Sequence, residues 1–309
     1  MLVSKEKMFT IVVCTYNSEK IIKRCLDALV ALEGLSENVD KILVVDNNST
    51  DLTSKIIHEY CEENNMFQYV FEGRQGLSYA REHALDANTD WIIYVDDDNI
   101  LDKNWIIELK ETVEENKRLG VVNGAVIAVP AEKLSEEQQA IMRAMYRNLA
   151  CTHCGEPKEN DPQNVVPMGA GMCVRRAALE KIESEGWLKL TGRTGKKLSS
   201  GEDTELCERI FEQGYGYESN FRMKLYHIIP STRLEEKYVI RLIDGLVEGR
   251  VDFIKNQKFG YMKCRLRKVK YLFERNCLEK KMTKSKGTLD EYWKYKIAYL
   301  QANSYLRYI

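Results

Sequence analysis

Between Thr10 and Lys103 the chain four times runs from a short β-branched or aromatic stretch, through a polar turn, into a helical apolar pattern. Thr10-Ile11-Val12-Val13-Cys14 leads through Thr15-Tyr16-Asn17-Ser18 to Ile21, Ile22, Cys25, Leu26 and Leu29. Ile42-Leu43-Val44-Val45 leads through Asp46-Asn47-Asn48-Ser49-Thr50-Asp51 to Ile56, Ile57 and Tyr60. Gln68-Tyr69-Val70-Phe71 leads through Glu72-Gly73-Arg74-Gln75-Gly76 to a helix from Leu77 to about Ala87. Trp91-Ile92-Ile93-Tyr94-Val95 ends on Asp96-Asp97-Asp98-Asn99, with a helix beginning near Lys103. Alternating strands and helices of this kind predict an α/β fold, with a mainly parallel sheet flanked by helices and strand ends lining a ligand crevice.

The fourth unit is the most chemical. Three consecutive carboxylates at a strand end repel one another and call for a cation, and hard divalent ions such as Mg²⁺ or Mn²⁺ suit oxygen ligands and bridge to phosphate. A polar turn with Asp as an N-cap is the plainer reading of the same residues. Thr15, Tyr16 and Asn17 after the first strand, and Asp46, Asn47 and Asn48 after the second, could hydrogen-bond a base and ribose while Tyr16 offers an apolar face. Capping and Asx-turn duty remain open for each. No dinucleotide-type glycine fingerprint follows the first strand, and Gly195-Lys196-Lys197 has Leu190 where a phosphate loop needs its first glycine, so Rossmann oxidoreductases and phosphate-loop ATPases are disfavoured.

With 309 residues, 44% hydrophobic and 30% charged, the chain suits one large or two small soluble domains. A net charge of -1 argues against a nucleic-acid binder, but the charge is uneven. From Lys255 to Lys286 twelve Lys or Arg stand against Glu274 and Glu279, a net of +10, which leaves the remainder at -11. Such a segment predicts an interaction surface: an anionic membrane face, or a homodimer contact through the C-terminal helices. Nine cysteines, mostly inside apolar runs, read as reduced buried thiols of a cytoplasmic protein. Cys151-Thr152-His153-Cys154 has zinc-like spacing without a second pair, and reads as a loop. No apolar run approaches the ~18 residues of a membrane span or forms a signal-peptide core.

The motifs Thr10 to Asn17, Val44 to Asp51, Gly76-Leu77-Ser78-Tyr79-Ala80-Arg81 and Val95-Asp96-Asp97-Asp98, in that order, resemble the donor-binding half of family-2 glycosyltransferases of the A-type fold. The resemblance implies that Asp46 and Asp96 bind the nucleotide, that Arg81 lies beside the donor, and that Asp98 holds the metal, with Asp97 as an additional acid. Gly169-Ala170-Gly171-Met172-Cys173-Val174-Arg175-Arg176 resembles the family's small-residue turn and strand, in which Gly169 and Gly171 would let backbone approach the donor sugar; tight packing is the alternative. Ser199-Ser200-Gly201-Glu202-Asp203-Thr204-Glu205-Leu206 resembles its Glu-Asp motif, implying Asp203 as general base with Glu202 beside it. Acids at a helix start also satisfy the macrodipole. His227, after a short strand Lys224-Leu225-Tyr226, stands where some members place a late metal ligand.

The resemblance covers roughly residues 8–233. It divides the chain into a catalytic domain, 1–233, and a helical basic extension, 234–309. Within the catalytic domain, the nucleotide-sugar half takes about 8–127, ending on the strand Val121 to Ile127, and the acceptor half about 128–233. A helix is expected from Ser135 to Leu149, a polar loop from Cys151 to Val165, and further helices at Glu235 to Lys255, Phe259 to Lys281 and Leu289 to Tyr308. The implied activity is metal-dependent, inverting transfer of a sugar from a nucleotide diphosphate, taken as UDP, to a hydroxyl of a glycan or lipid-linked saccharide, on the inner face of a membrane. A sugar nucleotidyltransferase would need a glycine-rich loop and lysine after the first strand, where Cys14-Thr15-Tyr16-Asn17 stands. A non-catalytic carbohydrate-binding protein on the same fold would not need Asp96, Asp98, Glu202 and Asp203 together.

Overall fold

The structure is a computed structural model that describes residues 7–158, 167–194, 198, 200–255, 260–285 and 288–309, with Tyr261 described for its backbone alone. The Gly195-Lys196-Lys197 stretch, most of the loop after Lys158, Phe259 and Lys286 lie outside the described residues.

The four repeated units fold as expected. The first strands are β1 (Phe9–Thr15), β2 (Val39–Asp46), β3 (Phe67–Phe71) and β4 (Trp91–Asp96), and they alternate with α1 (Ile22–Val30), the single turn α2 (Leu35–Asn38), α3 (Thr53–Glu63) and α4 (Leu77–Glu82). β1 pairs in parallel with β2 and β4, and β2 with β3. Along β1, Phe9, Ile11 and Val13 enter one hydrophobic cluster while Val12 and Cys14 enter the other. Both faces of these strands are therefore covered, which is why they read as unbroken apolar runs rather than as alternating patterns.

Beyond β4 the sheet becomes mixed. β5 (Asn99–Leu101), α5 (Trp105–Glu115), β6 (Leu119–Pro130), α6 (Glu136–Met145), β7 (Cys173–Arg175), α7 (Arg176–Ser184), α8 (Glu202–Glu212) and β8 (Gly216–Ile229) complete an eight-stranded sheet, ordered β3-β2-β1-β4-β7-β6-β8-β5. β7 runs antiparallel to β4 and β6, β5 antiparallel to β8, and β6 parallel to β8. Parallel pairing thus holds the first half and only part of the second. The strand expected at Lys224 to Tyr226 is the end of the fourteen-residue β8, whose polar first half, Gly216 to Arg222, carries no apolar run to announce it. Ser135 caps α6 through a reciprocal capping box with Gln138.

Three helices follow, α9 (Glu236–Lys255), α10 (Gly260–Lys284) and α11 (Leu289–Tyr308). Val239, Leu242, Trp293, Ile297 and Tyr305 belong to the same hydrophobic cluster as β1, α1 and α5. α9 and α11 are further joined at Asp244, which accepts hydrogen bonds from Ser304, Arg307 and Tyr308.

Candidate active site

The carboxyl ends of β1 and β4, the start of α8 and the inner faces of α9 and α10 enclose a cleft of about 1190 Å³. Thr15, Tyr16, Asn17, Arg81, Asp96, Asp97, Asp98, Gly169, Glu202, Asp203 and His227 all line it. Parallel strands explain the convergence: β1 and β4 are neighbours in register, Cys14 against Asp96, so the loops that leave them open on one side.

The first two loops are laced together. Asn17, with a positive φ of 51°, accepts the Thr50 amide on its side-chain oxygen at 2.8 Å, while its own amide donates to Ser49 Oγ at 2.9 Å. Tyr16 stays 39% exposed, its ring open to the cleft. Asp46 takes a different place from the other expected donor-side residues. It is buried, accepts the Ser49 amide and the Tyr69 hydroxyl, and lies behind the wall rather than on it. Asn48 is exposed at a φ of 65° away from the lining. Asn47 faces the cleft instead, and its carboxamide ties Glu72, Arg74 and Gly76 to the second strand end.

The three acids of β4 have three different environments. Asp96 has Arg81 as its main cationic neighbour; burial raises its pKa and Arg81 opposes the rise. Asp97 accepts from Thr15 Oγ1 at 2.7 Å and from Ser18 Oγ, so it fastens the first loop to the fourth strand. Burial and the adjacent Asp98 push its pKa up to about 6. Asp98 is held ionised. Its Oδ2 meets Arg233 Nη1 at 2.8 Å and His227 Nε2 at 3.2 Å, and although burial works against the charge, these cations hold it well below the usual carboxylate range. Asp98 in return outweighs burial at His227 and raises its pKa to about 10. Ser18 and Arg233 were not singled out by sequence reasoning; both are contacts across long stretches of chain that no local pattern marks.

Arg81 is the cleft's buried cation, 2% exposed. Glu202 Oε1 lies 3.7 Å from its Nη1, and Glu202, Asp96 and Asp203 together outweigh the cost of burying the charge. Its Nε and Nη1 nonetheless have no hydrogen-bond acceptor among the described residues, although buried donors are almost always matched. Gly169 explains how Arg81 fits: a Cβ there would lie 2.4 Å from Nη2. Gly171 serves packing instead, since at φ +66° its Cβ would meet Leu225 and Trp105, away from the cleft.

Glu202 and Asp203 open α8 after Gly201, whose φ of +131° suits glycine. Their surroundings differ. Glu202 turns inward to Arg81 and to the Gly201 amide, and burial, then Asp203, push its pKa up to about 7. Asp203 is half-buried and held by backbone, its Oδ2 accepting the Gly169 amide at 3.1 Å and its Oδ1 the Thr204 amide at 2.9 Å. Glu205, one turn on, accepts the Lys189 and Leu190 amides and so straps the segment that brings Arg193 to the cleft wall.

Among the described residues no three His, Cys, Asp or Glu side chains converge as a ready metal-ligand set. Cys151 turns inward, 3.6 Å from His227 Nδ1, while Cys154 is exposed, so the zinc-like spacing does not bring the two thiols together.

The cleft at the parallel strand ends thus joins a group of acids to a buried arginine with unmatched donors. The profile described as Glycosyl transferase family 2 matches residues 10–183, and the chain belongs to that family. It is a glycosyltransferase. It is similar to a glucosyl-dolichyl phosphate glucuronosyltransferase of Haloferax volcanii, 23% identical over 234 residues, which cover 75% of this chain and 72% of that one. A poly(ribitol-phosphate) beta-N-acetylglucosaminyltransferase, TarS of Staphylococcus aureus, is 30% identical over 110 residues, 35% of this chain and 19% of that protein. The crystal structure of TarS 1-349 in complex with UDP-GlcNAc matches the fold with a TM-score of 0.53 at 17% identity, over 81% of this chain and 67% of that one.

Proposed function

We propose that the protein transfers a sugar from a UDP-sugar to a hydroxyl of a glycan or lipid-linked saccharide, with inversion at the anomeric carbon and Asp203 as general base. The observation that carries the proposal is the contrast at the start of α8: Glu202 is committed to Arg81, while Asp203 is fixed by two amides and has no cationic side chain within ion-pair distance among the described residues. A carboxylate so held can take the acceptor's hydroxyl proton as that oxygen bonds to the anomeric carbon and the carbon–oxygen bond to the diphosphate breaks. Arg81, which borders the cleft, adds positive charge that favours a diphosphate there. Uridine is chosen because a structural neighbour is a complex with UDP-GlcNAc.

Mn²⁺ or Mg²⁺ would be held by Asp98, since these hard ions take carboxylate oxygens. When bound, the ion neutralises the departing diphosphate. Arg233 now shares Asp98 Oδ2, and His227 would have to lose its proton to serve as a ligand. A thermal-shift screen of nucleotide sugars with and without Mn²⁺ tests donor and metal together. UDP-sugars should raise the melting temperature, and more so with the ion. Full transfer activity in excess EDTA would remove the metal from the proposal.

Presentation of the acceptor at an anionic membrane surface is part of the proposal, and the exposed face of α10 supports it. Met262, Leu266, Val269 and Phe273 lie on one helical face and are 57–74% exposed, flanked by exposed Lys263, Arg265, Lys268 and Lys270. Tyr271 lies off this face and stacks on Tyr305. No helix among the described residues is long and apolar enough to cross a membrane. Each basic residue near an anionic leaflet contributes about 1 kcal/mol. Sedimentation with phosphatidylglycerol vesicles should therefore show binding at low salt that Leu266→Ser with Phe273→Ser abolishes. Dimerisation in solution that the same substitutions disrupt, without vesicle binding, would assign the face to a second copy.

A further inference from the structure

α9 reaches the catalytic loop backbone to backbone. A Cβ on Gly249 would lie 1.8 Å from the Ser200 carbonyl oxygen, and one on Gly245 2.5 Å from that of Leu198, so two glycines one turn apart seat the helix against the segment that ends in Glu202 and Asp203. Leu246, Arg250 and Phe253 follow at helical spacing and face the cleft; Arg267, Lys270 and Tyr271 do the same on α10. Arg250 and Arg267 both act on the phenol of Tyr305, which stacks on Tyr271 with ring centroids 4.2 Å apart. The cleft therefore has a second cationic set, on the helical wall, apart from the Arg81, Arg193 and Arg233 group that acts on the acids of β4 and on Glu202.

We infer that Arg250 and Arg267, with Lys270 at the rim, bind a phosphate group of the acceptor; the inference rests on the transfer reaction proposed above. Elsewhere in the chain, arginines such as Arg74, Arg176, Arg209, Arg222 and Arg307 have carboxylates within 4 Å. Arg250 and Arg267 line a cleft and have none among the described residues, while Lys270 reaches only Glu274 at 3.6 Å. Two guanidiniums lining the same cleft as the stacked Tyr271 and Tyr305 rings match a phosphate monoester or diester, which accepts several charge-assisted hydrogen bonds. The set adjoins the loop of Asp203, where the acceptor hydroxyl has to be presented. A phosphate held there would fix the acceptor beside the base without touching the donor's diphosphate.

Two probes distinguish the sources of such a phosphate: geranyl phosphate for a lipid headgroup and bis-glycerol phosphate for a polyol-phosphate backbone, with geraniol and glycerol as neutral controls. The full-length protein is first saturated with UDP, and each probe is titrated by calorimetry. At least one phosphate probe should bind saturably without displacing UDP, its neutral control should not, and the tighter of the two names the source. Arg250→Gln and Arg267→Gln should each weaken that binding about tenfold, the effect of losing a charge-assisted hydrogen bond. Both variants should keep the wild-type melting temperature and UDP affinity. Phosphate binding that survives both substitutions, that chases UDP, or that is absent overturns the subsite. Failure of UDP itself to bind would instead overturn the donor reading on which the inference rests.

Discussion

On the sheet wall of the cleft, Asp96, Asp97 and Asp98 sit at the end of a buried strand, and each is answered from inside the protein by Arg81, by two hydroxyls, or by Arg233 and His227. On the helical wall, Arg250 and Lys270 stand exposed, and water supplies most of their solvation. Charge taken out of water must be matched by the fold, so its removal is felt as instability; charge left in water costs little to keep and acts mainly on what binds. Asp203 lies between these regimes, half-buried and held by backbone amides alone.

The largest effect is expected where the two walls meet. Asp203→Asn keeps the shape and one of the two amide contacts but loses basicity, so transfer should fall by about 10²–10⁴ while UDP binding is retained. Rapid-quench turnover beside calorimetry checks it; activity within a few-fold of wild type would assign the base elsewhere.

Next comes the sheet wall. Asp98→Ala leaves buried His227 and half-buried Arg233 without their counter-charge, and should cost about 3 kcal/mol in denaturant unfolding as well as weaken UDP binding. Unchanged stability would break the contrast between the walls, because the acid would then be no better integrated than Arg250.

The smallest effect sharpens the contrast through pH. Glu202 has its pKa raised from an ordinary 4.5 to about 7, by burial first and Asp203 second. Between those values the native state keeps a proton that the unfolded chain has released, so this group makes stability fall as pH rises through the window. Glu202→Gln removes the titration. In denaturant unfolding, the stability of the variant relative to wild type should therefore climb between those two pH values, by at most about 1.4 kcal/mol per pH unit, and level off above them. A flat difference would mean that Arg81 keeps Glu202 ionised throughout.

Much of the sheet wall was legible in the sequence because its chemistry is local. A β-branched run followed at once by Asp or Asn places those groups at a strand end whatever the rest of the chain does, and adjacent parallel strands bring their ends together. Glu202 and Asp203 were legible for the same reason, as acids opening a helix after a glycine. Local pattern could not separate residues facing the cleft from their immediate neighbours. Asp46 lies behind the wall and Asn47 on it; Gly169 makes room for Arg81, whereas Gly171 makes room for Trp105 and Leu225. A step of one or two residues decides which way a group points, and the packing behind it sets that choice.

The amino-acid sequence by itself determined the α/β plan, the order of the donor-side motifs and the helical character of residues beyond 235, because hydrophobic period and turn chemistry act over a few residues at a time. Only the tertiary structure decided that the helices beyond 235 form a wall of the cleft. That outcome depends on Gly245 and Gly249 meeting Leu198 and Ser200, and on Trp293, Ile297 and Tyr305 entering the same core as the first strand. It also decided that Asp98 is joined to Arg233 and His227, partners 135 and 129 positions away along the chain. Such contacts are made by the balance of packing and desolvation over the whole folded chain, and no short window of sequence contains both partners.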